Sequence, residues 1–91
     1  MAKRMYKIAF APAALRQLRK LPKPDQQRIM RAIQSLEDDP RPPNSKKLQG
    51  AESFWRIRVG DYRVVYEIQD SKLIVFVLRI ANRKDVYRQG K

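Results

Sequence analysis

The sequence predicts an α+β domain in the order β-α-α-β-β-β, with a small, mainly antiparallel sheet packed on an N-terminal helical hairpin. Three observations carry this expectation. A short alternating segment opens the chain, two apolar stripes at helical spacing follow it, and three strand signals separated by tight-turn residues fill the C-terminal half.

Residues 5–10, "MYKIAF", alternate, with Tyr6, Ile8 and Phe10 on one side, and read as a strand. Pro12 suits the first turn of a helix. In "AALRQLRKL", Ala14, Leu15, Leu18 and Leu21 fall at helical spacing while Arg16, Arg19 and Lys20 point outward. "PKPD" at 22–25 breaks that helix, because proline disfavours α geometry in the residue before it. "DQQRIMRAIQSLEDD" is a second helix, with Asp25 as its N-cap, Ile29, Ile33 and Leu36 on one stripe, and Pro40 at its end. The Pro- and Gly-rich stretch 40–52 reads as a connector.

Strands are expected at 54–59, 62–69 and 72–80. Gly60-Asp61 suits a two-residue primed turn, which sets Val59 opposite Tyr62, Arg58 opposite Arg63 and Arg56 opposite Val65. One face then carries Trp55, Ile57, Val59, Tyr62, Val64, Tyr66 and Ile68, a core face on which Trp55 is a packing residue. The other carries Phe54, Arg56, Arg58, Arg63, Val65 and Glu67. A second tight turn at Asp70-Ser71 would add Ile74, Phe76, Leu78 and Ile80 to it. "KLIVFVLRI", apolar on both sides, reads as a central strand covered on both faces.

Composition narrows the chemistry. A chain of 91 residues, 43% hydrophobic, fits a single domain spanning 1–91. It carries 21 Lys and Arg against 9 Asp and Glu, a net charge of +12, which points to a polyanion or an acidic protein as partner. There is no cysteine and no histidine. A disulfide framework, a thiolate metal site and a cysteine nucleophile are excluded, and the commonest general base is missing. Neither a metal nor a cofactor is expected. No apolar run approaches a membrane span, and Lys7 and Pro12 interrupt the stretch that a signal peptide would need, so a cytoplasmic protein is expected.

The arginine face is the unusual feature. Like charges directly opposite each other destabilise a strand pair, and an apolar floor strengthens the repulsion by lowering the local dielectric. A single strand arginine is ordinarily a solvated, snorkelling side chain. Three converging on one face resemble a cradle for phosphate, whose oxygens match guanidinium forks and whose charge relieves the repulsion. Lys46 and Lys47, with Arg16, Arg19, Lys20, Arg28 and Arg31, form a diffuse field suited to RNA.

"Y-K-I-A-F" leading into "A-L-R-Q-L-R-K-L-P", then "K-K-L-Q-G", "W-R-I-R-V-G-D-Y-R-V-V-Y-E-I" and "I-A-N-R-K-D-V-Y", resemble the RelE/ParE superfamily of toxins, and more closely its RelE branch of ribosome-dependent mRNA interferases. The resemblance covers nearly the whole chain. It implies a sheet like that of the microbial ribonucleases, cleavage of mRNA in the ribosomal A site with contacts to 16S rRNA, and neutralisation by an acidic RelB-like antitoxin in a toxin–antitoxin hetero-oligomer. By the same resemblance Arg56, Arg58, Arg63, Arg83 and Tyr87 are the catalytic set. Lys46 and Lys47 of the basic field, and Phe76 on the arginine face, are expected to bind RNA.

Two departures stand out. Many relatives have His-Arg where this chain has Asn82-Arg83. Arg56 and Arg58 stand where lysines are frequent, and guanidinium does not give up its proton. Tyr87 is then the candidate for proton transfer or for stacking on a base, and Glu67 is expected to pair with an arginine rather than act as base. Two other readings stay open: a ParE-like inhibitor of DNA gyrase without nuclease activity, and a nucleic-acid-binding module.

Overall fold

The computed structural model describes residues 5–50 and 53–82. Its elements are β1 (Lys7–Phe10), α1 (Pro12–Arg19), α2 (Lys23–Ser35), β2 (Ser45–Lys47), β3 (Phe54–Val59), β4 (Tyr62–Gln69) and β5 (Ile74–Asn82). They form one five-stranded sheet in the order β1-β5-β4-β3-β2, parallel only between β1 and β5. Both helices lie on one face, α1 against β5 and α2 against β3.

The apolar stripes explain that packing. Ala14 and Leu18 of α1, Ile29 and Ile33 of α2, and Leu36 just beyond it are buried against Ile57, Val59, Val64, Tyr66, Ile68, Val75, Val77 and Ile80. Tyr66 is fully buried, and its hydroxyl donates to the Pro40 carbonyl at 2.7 Å. β1 is much shorter than β5, which leaves the Ile80 N–H beyond its reach. Gln17 of α1 accepts that hydrogen bond at 2.7 Å through Oε1, closing the ladder with a side chain.

Several expectations are corrected. The connector contains a strand, β2, which pairs with β3. Asp25 does not cap α2: the helix starts at Lys23 with Pro22 at the cap, three residues earlier, and the Asp25 carboxylate accepts from the Tyr62 hydroxyl at 3.0 Å and pairs with Arg28 at 3.2 Å. α2 ends at Ser35, short of the acidic run that follows. The β4–β5 connection is a 3-10 turn, Asp70–Lys72, followed by Leu73 at φ 55°, so β5 starts at Ile74. This left-handed conformation is uncommon for leucine, and Leu73 packs against the core while it holds it.

A register shift between Val65 and Tyr66 makes the largest difference. Tyr66 pairs with Val77 but Val65 pairs with Arg79, so Leu78 is an extra residue on β5. Beyond this bulge the faces exchange. Ile80 turns into the core opposite Val64, and Arg79 and Ala81 take the arginine face, where Leu78 and Ile80 were expected. Nor is β5 covered on both sides by described residues, since Ile74, Phe76 and Leu78 are only half-buried.

Candidate nucleic-acid interface

Gly60 has φ +60°, and Asp61 does not share a positive φ, the pattern of a type II′ hairpin turn. This turn fixes the register of β3 and β4. Arg58 faces Arg63, Arg56 faces Val65, and Ile57 faces Val64, as the spacing predicts. The Arg28 guanidinium lies close over Gly60, its Nη2 2.7 Å from where a Cβ at that position would be, so a larger residue there would displace it.

β2 extends the row outward by one strand. Lys46 pairs with Arg56, and Lys47 pairs with Trp55. Adjacent residues of a strand point to opposite faces, so Lys46 joins the arginine face and Lys47 does not. Phe54, Glu67 and Phe76 form a neighbouring row on that face. Across the sheet, Lys46, Arg56, Val65 and Arg79 lie side by side on four strands, with Arg58, Arg63 and Ala81 in the next row.

Arg56 and Arg63 are half-buried and Arg58 is exposed. Burial first, and then the positive charge of Arg58 and Arg63, pushes the Arg56 pKa down. Among the described residues none of Lys46, Arg56, Arg58 and Arg63 pairs with a carboxylate. The Glu67 carboxylate accepts a hydrogen bond from Gln69 at 3.0 Å. Arg63 Nε is shielded from solvent and has no hydrogen-bond partner among the described residues. A buried donor of this kind is ordinarily satisfied.

At the β2 end, Pro43, Asn44, Ser45, Lys46, Arg56 and Arg58 line an open cleft of about 300 Å³. At the β5 end a second cleft of similar size lies between α1 and the strand, bordered by Lys20, Tyr62, Arg79 and Asn82. No group of acidic, cysteine or histidine side chains suited to a metal occurs among the described residues.

Of the site residues expected from sequence, the sheet therefore gathers Arg56, Arg58, Arg63, Lys46 and Phe76 on one face. Lys47 lies on the other. Arg83 and Tyr87 fall outside the described residues. Trp55 keeps its packing role, with Arg41 over its ring at 5.4 Å. Arg79 was missed, since only the bulge brings it round.

The family model for the ParE toxin of the parDE type II toxin-antitoxin system matches residues 8–87. Toxin RelG of Mycobacterium tuberculosis is 34% identical over 92 residues, covering 92% of this chain and 98% of that protein. The mRNA interferase toxin RelE of Escherichia coli K12 is 28% identical over 89 residues, covering 93% of each chain. A chain of the archaeal RelE–RelB complex from Pyrococcus horikoshii OT3 superposes with a TM-score of 0.79 at 27% identity, over 87% of this chain and 96% of that one. Two helices on a five-stranded mixed sheet, and similarity over nearly the full length, lead to one assignment: the chain belongs to the RelE/ParE superfamily and is a toxin of a type II toxin–antitoxin system.

Proposed function

We propose that this toxin is an endoribonuclease that cuts messenger RNA in the ribosomal A site, and so arrests translation. The observation that carries the proposal is the convergence of Arg56, Arg58 and Arg63 on one face with no carboxylate to neutralise them among the described residues. The similarity to a protein named mRNA interferase toxin supports it.

In this reading the ribose 2′-oxygen loses its proton and attacks the adjacent phosphorus. A 2′-O–P bond forms, the P–O5′ bond breaks, and the 5′-oxygen takes up a proton. The products are a 2′,3′-cyclic phosphate and a 5′-hydroxyl. Arg63, with Arg83, neutralises the charge that builds on the non-bridging oxygens, and Arg56 and Arg58 hold the same or the neighbouring phosphates. One preorganised donor aimed at such charge is typically worth ~2.7–4 kcal/mol. Tyr87 transfers a proton or stacks on a base. Guanidinium does not serve as base at neutral pH, so the ribosome contributes by fixing the attack geometry.

The proposed partners are the ribosome with its mRNA and an acidic, RelB-like antitoxin whose carboxylates replace phosphate when the toxin is held inactive. RelE–RelB complexes among the structural neighbours support the antitoxin. The second reading, gyrase inhibition, draws on the ParE name of the matching family model. It gives the arginine face no task.

Primer extension on mRNA, with the toxin added to stalled ribosomes or to naked RNA, separates these readings. The expected result is cleavage inside the A-site codon only with ribosomes present, reduced ~100- to 1,000-fold in Arg63→Ala. Intact mRNA in both conditions, with folded protein that blocks gyrase, would transfer the assignment to the second reading.

A further inference from the structure

We propose that Lys46 and Arg56 form a second phosphate subsite, which holds the phosphate next to the scissile one. This inference rests on the nuclease reading and deepens it.

Four of the five described cations of the face fall into two cross-strand pairs, Lys46 with Arg56 and Arg58 with Arg63, and Arg79 lies on the far side of Val65. Arg56 and Arg58 are two residues apart on β3, which separates the pairs by about 7 Å along the strand. Lys46 and Arg63 are also two strands apart, about 10 Å across the sheet. One phosphate shared by all four groups would draw four like charges together over a single anion. Two consecutive phosphates of an extended single strand avoid this, one for each pair.

The surroundings of the outer pair suit an anion. Among the described residues the cleft there has no acidic side chain in its lining. Asn44 donates through Nδ2 to the Arg58 carbonyl at 3.4 Å, and the Ser45 hydroxyl donates to the Pro42 carbonyl at 2.7 Å. Those two side chains shape the cleft wall, and Lys46, Arg56 and Arg58 supply its donors. Lys46 is exposed on the edge strand, where its removal disturbs no packing.

The neighbouring lysine provides a matched comparison, because Lys47 differs from Lys46 in the face it occupies. The test is titration of the full chain with an uncleavable 2′-O-methyl RNA oligonucleotide at several salt concentrations. Lys46→Ala is expected to weaken binding several-fold and to reduce the log–log salt slope by about 0.7, the loss of one phosphate contact on a single strand. Lys46→Arg restores both, and Lys47→Ala leaves the slope in place. Equal effects of Lys46→Ala and Lys47→Ala overturn the subsite, and primer extension still reads cleavage separately.

A second measurement tests the position of the phosphate. A methylphosphonate, which carries no charge, replaces the phosphate on either side of the scissile one in ribosome-bound mRNA. In one of the two positions it should slow cleavage by the wild type but add nothing to the defect of Lys46→Ala. Additive losses at both positions overturn the assignment. A wild type that does not cleave contradicts the nuclease reading itself, and the oligonucleotide titration then decides the subsite alone.

Discussion

The two faces of the β3–β4 hairpin are built from the same pair of strands and the same turn, yet they do opposite things. Toward the helices, Ile57, Val59, Tyr62, Val64, Tyr66 and Ile68 are buried, and the hydroxyls of Tyr62 and Tyr66 are hydrogen-bonded. On the other side two arginines stand directly opposed, and a third has its pKa lowered by burial and by their charge. Burial of the first face stabilises the fold, and the second face draws on that stability. A sheet that is well packed on one side can carry on its other side a charge arrangement that would not hold a domain together.

The comparison breaks most visibly if residues that alternate along β3 respond alike. Ile57, 2% exposed, is flanked by Arg56 and Arg58. Ile57→Ala is expected to destabilise the protein by about 2–5 kcal/mol, through lost burial and the cavity left behind. Denaturant unfolding of Arg56→Ala should show no loss of comparable size. Similar losses in the two variants would mean that the arginines are part of the packing.

The core face also predicts an alkaline limit. Burial pushes the Tyr66 hydroxyl up to about 12, against about 10 for an unfolded chain. Below pH 10 the proton stays on in both states, and the full stability is present. Between pH 10 and 12 the unfolded chain loses the proton while the native state keeps it, so stability falls as pH rises. The loss is on the order of 3 kcal/mol by pH 12. Tyr66→Phe should remove this component and instead lower stability at neutral pH by about 1 kcal/mol, from the hydrogen bond to Pro40. Parallel pH profiles for the two proteins would contradict it.

These contrasts show why parts of the molecule were legible in the sequence. The hairpin register was, because alternation and Gly60-Asp61 specify it locally. The helical stripes of Leu18, Ile29 and Ile33 were, because a 3.6-residue period is visible in one chain segment. β2 was not: "SKK" is three polar residues after two prolines, and only the edge of β3 makes it a strand. The bulge at Leu78 has no glycine to mark it and is set by how β5 meets both β1 and β4. Within the candidate site, Arg56, Arg58 and Arg63 were therefore placed correctly on one face, and the partners added by β2 and by the bulge, the orientation of Lys46 and the presence of Arg79, were not.

The smallest expected effect is the sharpest, because it has the sign opposite to most substitutions. Arg58 and Arg63 face each other without an intervening carboxylate among the described residues. Arg58→Glu exchanges a repulsive cross-strand pair for an attractive one at an exposed position. Such pairs contribute about 0.2–1 kcal/mol, which in a domain of this size raises the melting temperature by a few degrees (about 4–8 °C per kcal/mol). The gain should exceed that of Arg58→Ala and shrink as salt screens the charges. Cleavage should fall at the same time, since the introduced carboxylate would repel the phosphate that the pair is proposed to bind. A variant that is more stable and less active places the repulsion in the service of the ligand. One that is less stable than the wild type at low salt would show that the facing arginines support the fold, and the contrast between the two faces would fail.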